Sequence, residues 1–283
     1  MKLLGHDKPI FGVVHLAPLP GAPGYGGAIA PILARARRDA ETYLEGGLQG
    51  ILVENYGDQP FYRSAVGPET VAALTAAARA VRALGDFPLG VNVLRNDARA
   101  ALAAAAAAEA QFIRVNVLAG TMLTDQGLIE GPAADLLRQR AAWGVGVKVW
   151  ADLLVKHAVP LAPLDPVEVA RDLTERAGAD ALIVTGSRTG APADPARLAA
   201  LRRAAPGPWL VGSGITPSTF ATYAHAADGF IVATALERDG RSGAEVELER
   251  VRALARARAE FLAAPEDHPA SAAPRAGARD AKR

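Results

Sequence analysis

The chain has 283 residues, half of them hydrophobic, with 31 Lys and Arg against 30 Asp and Glu; the length suits one α/β barrel of about 250 residues, and the charge balance creates no field drawing it to nucleic acid or an acidic membrane. The lack of any cysteine excludes a disulfide framework, a thiol nucleophile and zinc held by thiolates. Met1 to Asp7 lacks the apolar core of a signal peptide, and the longest alanine-rich run is closed by Arg99 and Glu109 short of a membrane span, so a cytoplasmic protein without a transmembrane segment is expected.

Ile10 to His15 is short, apolar and β-branched, and predicts a first strand. The Pro- and Gly-rich stretch from Leu16 to Gly27 predicts a lid or binding loop. Ile32, Leu33, Ala36, Ala40, Tyr43 and Leu44 recur at helical spacing until Gly46-Gly47. Gly50 to Asn55 predicts the second strand, and Val71, Leu74, Ala78, Val81 and Leu84 a second helix closed by Gly85. Leu89 to Leu94 and Phe112 to Val117 predict strands three and four, with an Ala100 to Ala108 helix between them capped by Asn96 or Asp97.

Leu118 to Gly131 predicts a second long loop, Pro132 to Trp143 a helix, and Val145 to Asp152 the fifth strand. Asp165-Pro166-Val167-Glu168 combines a cap, a proline in the first turn and an acidic residue, so a helix starts there, and Asp194-Pro195 starts another. Between them Asp180 to Thr185 predicts strand six. Trp209-Leu210-Val211 reads as strand seven, Gly212-Ser213-Gly214 as a tight turn, and Thr216-Pro217 as the opening of a helix. Asp228 to Val232 is strand eight, running into Ala233-Thr234-Ala235, and Ala244 to Leu262 is the last helix. Gly178 to Val184 resembles Ala226 to Val232, which indicates a repeated unit. Eight strand-helix units predict a (β/α)8 TIM barrel, one domain over residues 8–262, followed by an Ala, Pro and charge-rich tail over 263–283 that is expected to be disordered.

Helices cover the outer face of a parallel barrel, so a charged residue within a strand is expected to point inward, toward the C-terminal mouth. This selects Glu54, Asn92, Arg114, Asn116, Lys148, Asp152 and Thr185, with His15 at the end of the first strand. Lys148, Trp150 and Asp152 alternate on one face of strand five, and Lys156-His157 follows it. One reading makes Glu54, Lys148 and Asp152 catalytic, a carboxylate acting as base beside a cation that steadies the resulting anion; Lys148 as a Schiff-base amine is a narrower version. The structural reading has Arg114 and Lys148 neutralise Glu54 and Asp152 in a closed polar core. No cofactor motif is present, and a divalent metal held by His15, His157 and a carboxylate stays open. The turn at Gly212, Ser213 and Gly214, beside Ala233 and Thr234, offers backbone N–H groups to a phosphate.

Several stretches together resemble the BtpA family, also called BtpA/SgcQ: Gly12 to Gly21, Glu54 to Asp58, Arg114 to Val117, Thr124 to Gly127, Ala151-Asp152 with Lys156-His157, Thr185-Gly186 with Thr189-Gly190, and Gly212 to Gly214. The resemblance runs from about Phe11 to about Gly240 and implies a ribulose-phosphate-binding type of (β/α)8 barrel with a phosphorylated ligand. Ala233 and Glu237 stand where a glycine and a lysine are expected. The family is named for photosystem I biogenesis, so the competing expectation is a non-enzymatic assembly or stability factor. Charged residues at the barrel mouth favour an enzyme of isomerase or lyase type acting on a sugar- or nucleoside-phosphate-like molecule. Nucleotide hydrolysis has no G-x-x-x-x-G-K-[ST] loop to support it. A homo-oligomer is the expected assembly.

Overall fold

The computed structural model describes residues 1–186, 193–205 and 207–264. Thr189-Gly190 and the tail expected beyond Ala263 lie outside the described residues, apart from Ala263 and Ala264. Eight parallel strands close into a barrel in chain order: β1 Ile10–His15, β2 Gly50–Glu54, β3 Leu89–Asn92, β4 Phe112–Val115, β5 Lys148–Asp152, β6 Ala181–Val184, β7 Trp209–Val211 and β8 Gly229–Val232. Between and after them run α1 Ala30–Glu45, α2 Pro68–Arg82, α3 Ala98–Ala107, α4 Ala133–Trp143, α5 Pro166–Arg171, α6 Pro195–Ala204, α7 Phe220–Ala224 and α8 Leu248–Ala263. The predicted caps hold: Asp97, Asp165 and Asp194 accept from the backbone N–H of Ala100, Val167 and Ala196.

Alternation along the strands separates two cores. Residues such as Ile51, Val53, Val91, Ile113 and Val149 face the helices, while Phe11, Leu52, Phe112, Trp150, Ile183 and Leu210 fill the barrel itself. Phe112 stacks on Trp150 with ring centroids 3.6 Å apart, and Phe11 meets both rings edge-on at 5.2 and 5.0 Å. These rings fit because β2 and β3 carry Gly50 and Gly90 beside them; a Cβ at Gly90 would lie 2.2 Å from the Phe112 ring. Below the mouth the barrel is therefore a solid apolar plug.

The repeat seen in the sequence has a mechanical basis at the opposite, N-terminal rim. The residue preceding each even-numbered strand clamps the preceding odd-numbered one. Gln49, Gln111, Asp180 and Asp228 accept, through side-chain oxygens, the N–H of Ile10, Leu89, Val149 and Trp209 at 2.8 to 3.0 Å. Their own N–H groups donate to the carbonyls of the same four residues. Arg82, Arg140 and Arg202 from α2, α4 and α6 then tie down three of the four clamps.

Three expected elements differ. Leu118 to Gly131 is not an open loop: Thr121–Thr124 and Gly127–Glu130 form a hairpin, and Ala158–Pro160 adds a third antiparallel strand to it. Met122 and Ile129 pack under the hairpin with Val117 and Val155, which gives the segment its own small core. Helix α7 starts at Phe220, and Thr216 instead receives the Thr219 hydroxyl in a turn. Helix α8 begins at Leu248, because the segment before it pairs back on itself through Arg238 N–H to the Glu245 carbonyl.

Since no side chain has room at Gly90, Gly90→Ala should lower unfolding free energy by about 1–3 kcal/mol or more. Urea titration checks this, and an unchanged midpoint would mean that the aromatic plug yields.

Candidate active site at the barrel mouth

Strand register brings the polar residues to one level. His15 pairs with Glu54, Glu54 with Asn92, and Asn92 with Arg114 across β1 to β4, and Asp152 ends β5 beside them. Arg114 is held bidentately by Asp152, Nε to Oδ1 at 3.2 Å and Nη2 to Oδ2 at 3.0 Å. Asn116 donates to Asp152 Oδ2 at 2.9 Å, and Asn92 donates to Asn116 Oδ1 at 3.2 Å and to the Arg114 carbonyl at 3.0 Å. Burial alone would push the Arg114 guanidinium down, but Asp152 and then Glu54 outweigh it and hold it above its ordinary value.

A second group lies on β1 and beyond β8. His15 Nδ1 is 2.7 Å from Glu237 Oε1, so its proton is assigned to that nitrogen, and Nε2 faces Glu54 Oε1 at 3.8 Å. Tyr56 stacks on the His15 ring at 4.2 Å. Glu237 also accepts the Gly243 N–H at 3.2 Å. The expected lysine at this position would leave His15 without its acceptor. Glu54 differs from its neighbours: its carboxylate accepts no hydrogen bond from a described residue, and Arg114 Nη1 is 3.9 Å away.

Above these groups opens a cavity of about 980 Å³. His15, Glu54, Arg114, Asn116, Gly212, Ser213, Gly214, Ala233 and Thr234 all line it. Asn92 and Asp152 lie beneath this layer, fully or almost fully buried. Thr185 does not line the cavity, and its Oγ1 is buried without a partner. The Ser213 hydroxyl is likewise buried and unpartnered, and the N–H groups of Ser213, Gly214 and Ile215 donate to no described residue.

Lys148 is a correction. It shares the inward face with Asp152 but stands at the start of β5, four residues or about 13 Å lower along the strand. There its side chain is 52% exposed and pairs with Asp180 at 3.2 Å, as part of the N-terminal clamp. The lysine in the cavity is Lys156, just past β5, with Nζ donating to the Gly212 carbonyl at 3.3 Å. Burial lowers its pKa to about 8, Arg114 and Arg95 adding to the fall while Asp152 and Glu54 oppose it. Arg95, itself lowered by burial, donates to the Lys156 carbonyl at 2.5 Å and so fixes that loop.

Sequence reasoning also missed what Asn55 and Asp58 do. Asp58 accepts the Leu19 N–H at 2.7 Å, and Asn55 bonds both Asp58 and the backbone of Leu94. These bonds weld the loops after β1, β2 and β3 into one wall. On the far side, the hairpin turn places Asp125 and Gln126 over the cavity, and Gly127 takes the left-handed conformation (φ +94°) that the turn needs. Among the described residues no group of three or more His, Asp or Glu is arranged to hold a metal ion, and no helix is long and apolar enough to cross a membrane.

The sequence profile of the BtpA family matches residues 6–260. The chain belongs to the BtpA family. An uncharacterized protein of Pyrococcus horikoshii is 46% identical over 251 residues, 89% of this chain and 96% of that one. The photosystem I biogenesis protein BtpA of Synechocystis is 43% identical over 256 residues, 90% of this chain and 89% of that one. Among solved structures, (S)-3-O-geranylgeranylglyceryl phosphate synthase from Thermoplasma acidophilum, in complex with sn-glycerol-1-phosphate, superposes with a TM-score of 0.57 at 16% identity, covering 91% of this chain and 98% of that one. That likeness establishes the shared (β/α)8 fold.

Asp152 is the main counter-charge for Arg114, so Asp152→Ala should strand a buried cation and cost about 3–5 kcal/mol. Thermal and urea melts read this directly. A loss within about 1 kcal/mol, the size of an exposed pair, would mean that Glu54 alone neutralises Arg114.

Proposed function

We propose that this BtpA-family chain is an enzyme that binds a phosphorylated small molecule, sugar- or nucleoside-phosphate-like, in the barrel mouth and acts on it by general acid/base chemistry. The observation that carries this reading is the Glu54 carboxylate. It lines the cavity with no hydrogen bond from a described residue, while the buried carboxylates beside it, Asp152 and Glu237, are taken up by Arg114 and His15. A base must be within reach of the proton it removes, and Glu54 alone of these three is both at the cavity and unengaged. Arg114 flanks it through Nη1, suited to steady an oxyanion formed on the ligand, and His15 Nε2 faces it from β1. The ligand's phosphate is assigned to the unused N–H groups of Ser213, Gly214 and Ile215 with the Ser213 hydroxyl, across the mouth from Glu54. Asp152 then serves to orient Arg114 rather than to transfer protons. A non-enzymatic assembly role, which the name of the Synechocystis relative suggests, gives this polar cavity no task.

Ser213→Ala should weaken binding of inorganic phosphate and of sugar phosphates by about tenfold or more, the worth of one hydrogen bond to a charged group, and leave the melting temperature unchanged because that hydroxyl has no partner to lose. Calorimetric titration decides; equal affinities in parent and variant would move the phosphate elsewhere. For the base, exchange of a carbon-bound proton of an added sugar phosphate with D2O, followed by NMR, needs no knowledge of the product. Glu54→Gln should slow that exchange by about 10²- to 10⁴-fold with ligand affinity kept. Exchange as fast in the variant as in the parent would remove Glu54 from the mechanism.

A further inference from the structure

The chain contains five lysines. Lys2 and Lys148 are exposed in ion pairs with Asp7 and Asp180, Lys8 donates to the Ala227 carbonyl at the N-terminal rim, and Lys282 lies outside the described residues. Among the described lysines, Lys156 alone lines the cavity. Its ammonium makes no ion pair with a described residue, and its one hydrogen bond to a described residue is the 3.3 Å contact to the neutral Gly212 carbonyl. The positive groups Arg114 and Arg95 bear on it, and so do the carboxylates of Asp152 and Glu54, which are already shared with Arg114. A lysine meant as a structural counter-ion would have a carboxylate of its own. This one is positioned by the Arg95 bond to its carbonyl and points at the rim where the phosphate is assigned.

We propose that Lys156 is a carbonyl-capturing amine, and that the phosphorylated compound bound at Ser213 to Ile215 is an aldehyde or ketone that Lys156 takes up as an iminium. The inference rests on the phosphate reading above and adds the substrate's second functional group. The ammonium gives up one proton, through Glu54, and the nitrogen lone pair attacks the carbonyl carbon. The carbonyl oxygen takes up two protons in succession and leaves as water, while the nitrogen keeps one. Ammonium plus carbonyl thus gives protonated iminium plus water, with no other reactant. The iminium withdraws electrons from the neighbouring carbon, so that Glu54 can remove a proton from it, which joins the amine and the base in one acid/base sequence. The physical requirement is neutral amine near neutral pH. With its pKa at about 8, Lys156 carries roughly 300-fold more of the neutral form at pH 7 than an ordinary lysine.

The probe is pyridoxal 5′-phosphate, a phosphorylated aldehyde, added in equimolar amount to the full chain, followed by borohydride reduction and peptide mapping of the lysines. The expected result is one reduced adduct, on Lys156. Inorganic phosphate should suppress it, pyridoxal without its phosphate should give far less of it, and its rate should rise with pH through a midpoint near 8. Lys156→Arg should abolish the adduct yet keep inorganic phosphate binding, since the charge remains. Binding of inorganic phosphate with Lys156 unlabelled, or labels spread over Lys2, Lys8 and Lys148 according to exposure, overturns the amine assignment and leaves the phosphate reading intact. Labelling of Lys156 that is equal with pyridoxal and unaffected by phosphate overturns the phosphate reading, and with it the substrate class proposed here.

Discussion

A guanidinium inside a barrel has to be neutralised, and the upper layer of this molecule is arranged around that demand. Arg114 points inward because β4 alternates, with Ile113 and Val115 facing the helices. Asp152, Asn116 and Asn92 follow as its necessary partners: one takes the charge, the next fixes the carboxylate, the last fixes the amide. A buried pair of this kind contributes little net stability. What it supplies is position, since Arg114 cannot swing away from the cavity without leaving Asp152 unpaired. Glu54 therefore faces a cation held in place at 3.9 Å.

The two ends of the barrel divide the work. At the N-terminal rim every polar side chain in the clamps is engaged with backbone: Gln49, Gln111, Asp180 and Asp228 each join an odd strand to an even one. Between the ends, Phe11, Phe112 and Trp150 block any passage. The clamps and the plug supply the rigidity, so the mouth can carry groups that satisfy nothing in the fold, such as the Ser213 hydroxyl and the second oxygen of Glu237. Placing the unsatisfied groups at the C-terminal ends of the strands is what this architecture permits in general. Here the loops after β1, β2 and β3 are also welded to one another by Asn55 and Asp58.

Period-two alternation was enough to find His15, Glu54, Arg114 and Asp152 from the sequence, because each interrupts an otherwise apolar strand. The same rule misplaced Lys148. Alternation gives the face of a residue but not its height, and the first and last inward positions of β5 belong to opposite rims. Lys156, Arg95 and Glu237 sit beyond strand ends, where no period exists to read, and Glu237 looked like a departure only because its partner His15 is 222 positions away in the chain. The hairpin over the mouth had a legible cue in Asp125-Gln126-Gly127 between two short apolar runs, but the length of the segment suggested an open loop. The resemblance between the stretches before β6 and β8 was visible, and its cause, an aspartate that clamps the neighbouring strand, was not.

What the fold leaves unengaged limits what the proposed ligand can be. The carboxylates of Asp152 and Glu237, taken up by Arg114 and His15, can orient a ligand's surroundings but would have to break existing bonds to hold the ligand itself, whereas Arg114 Nη1 is left over at the cavity. Among the described residues the remaining groups are N–H donors and a hydroxyl at Ser213 to Ile215, an amine without a carboxylate at Lys156, and a carboxylate without a donor at Glu54. An N–H cradle favours an anion, an unpaired amine favours an electrophilic carbon or a second anionic oxygen, and an open carboxylate favours a removable proton. Gly212 joins the first two, its carbonyl accepting from Lys156 while the next three N–H groups donate to no described residue. A compound that meets these requirements carries its phosphate a few bonds from a carbonyl and its acidic C–H beside that carbonyl, which is the arrangement found in short phosphorylated aldoses and ketoses.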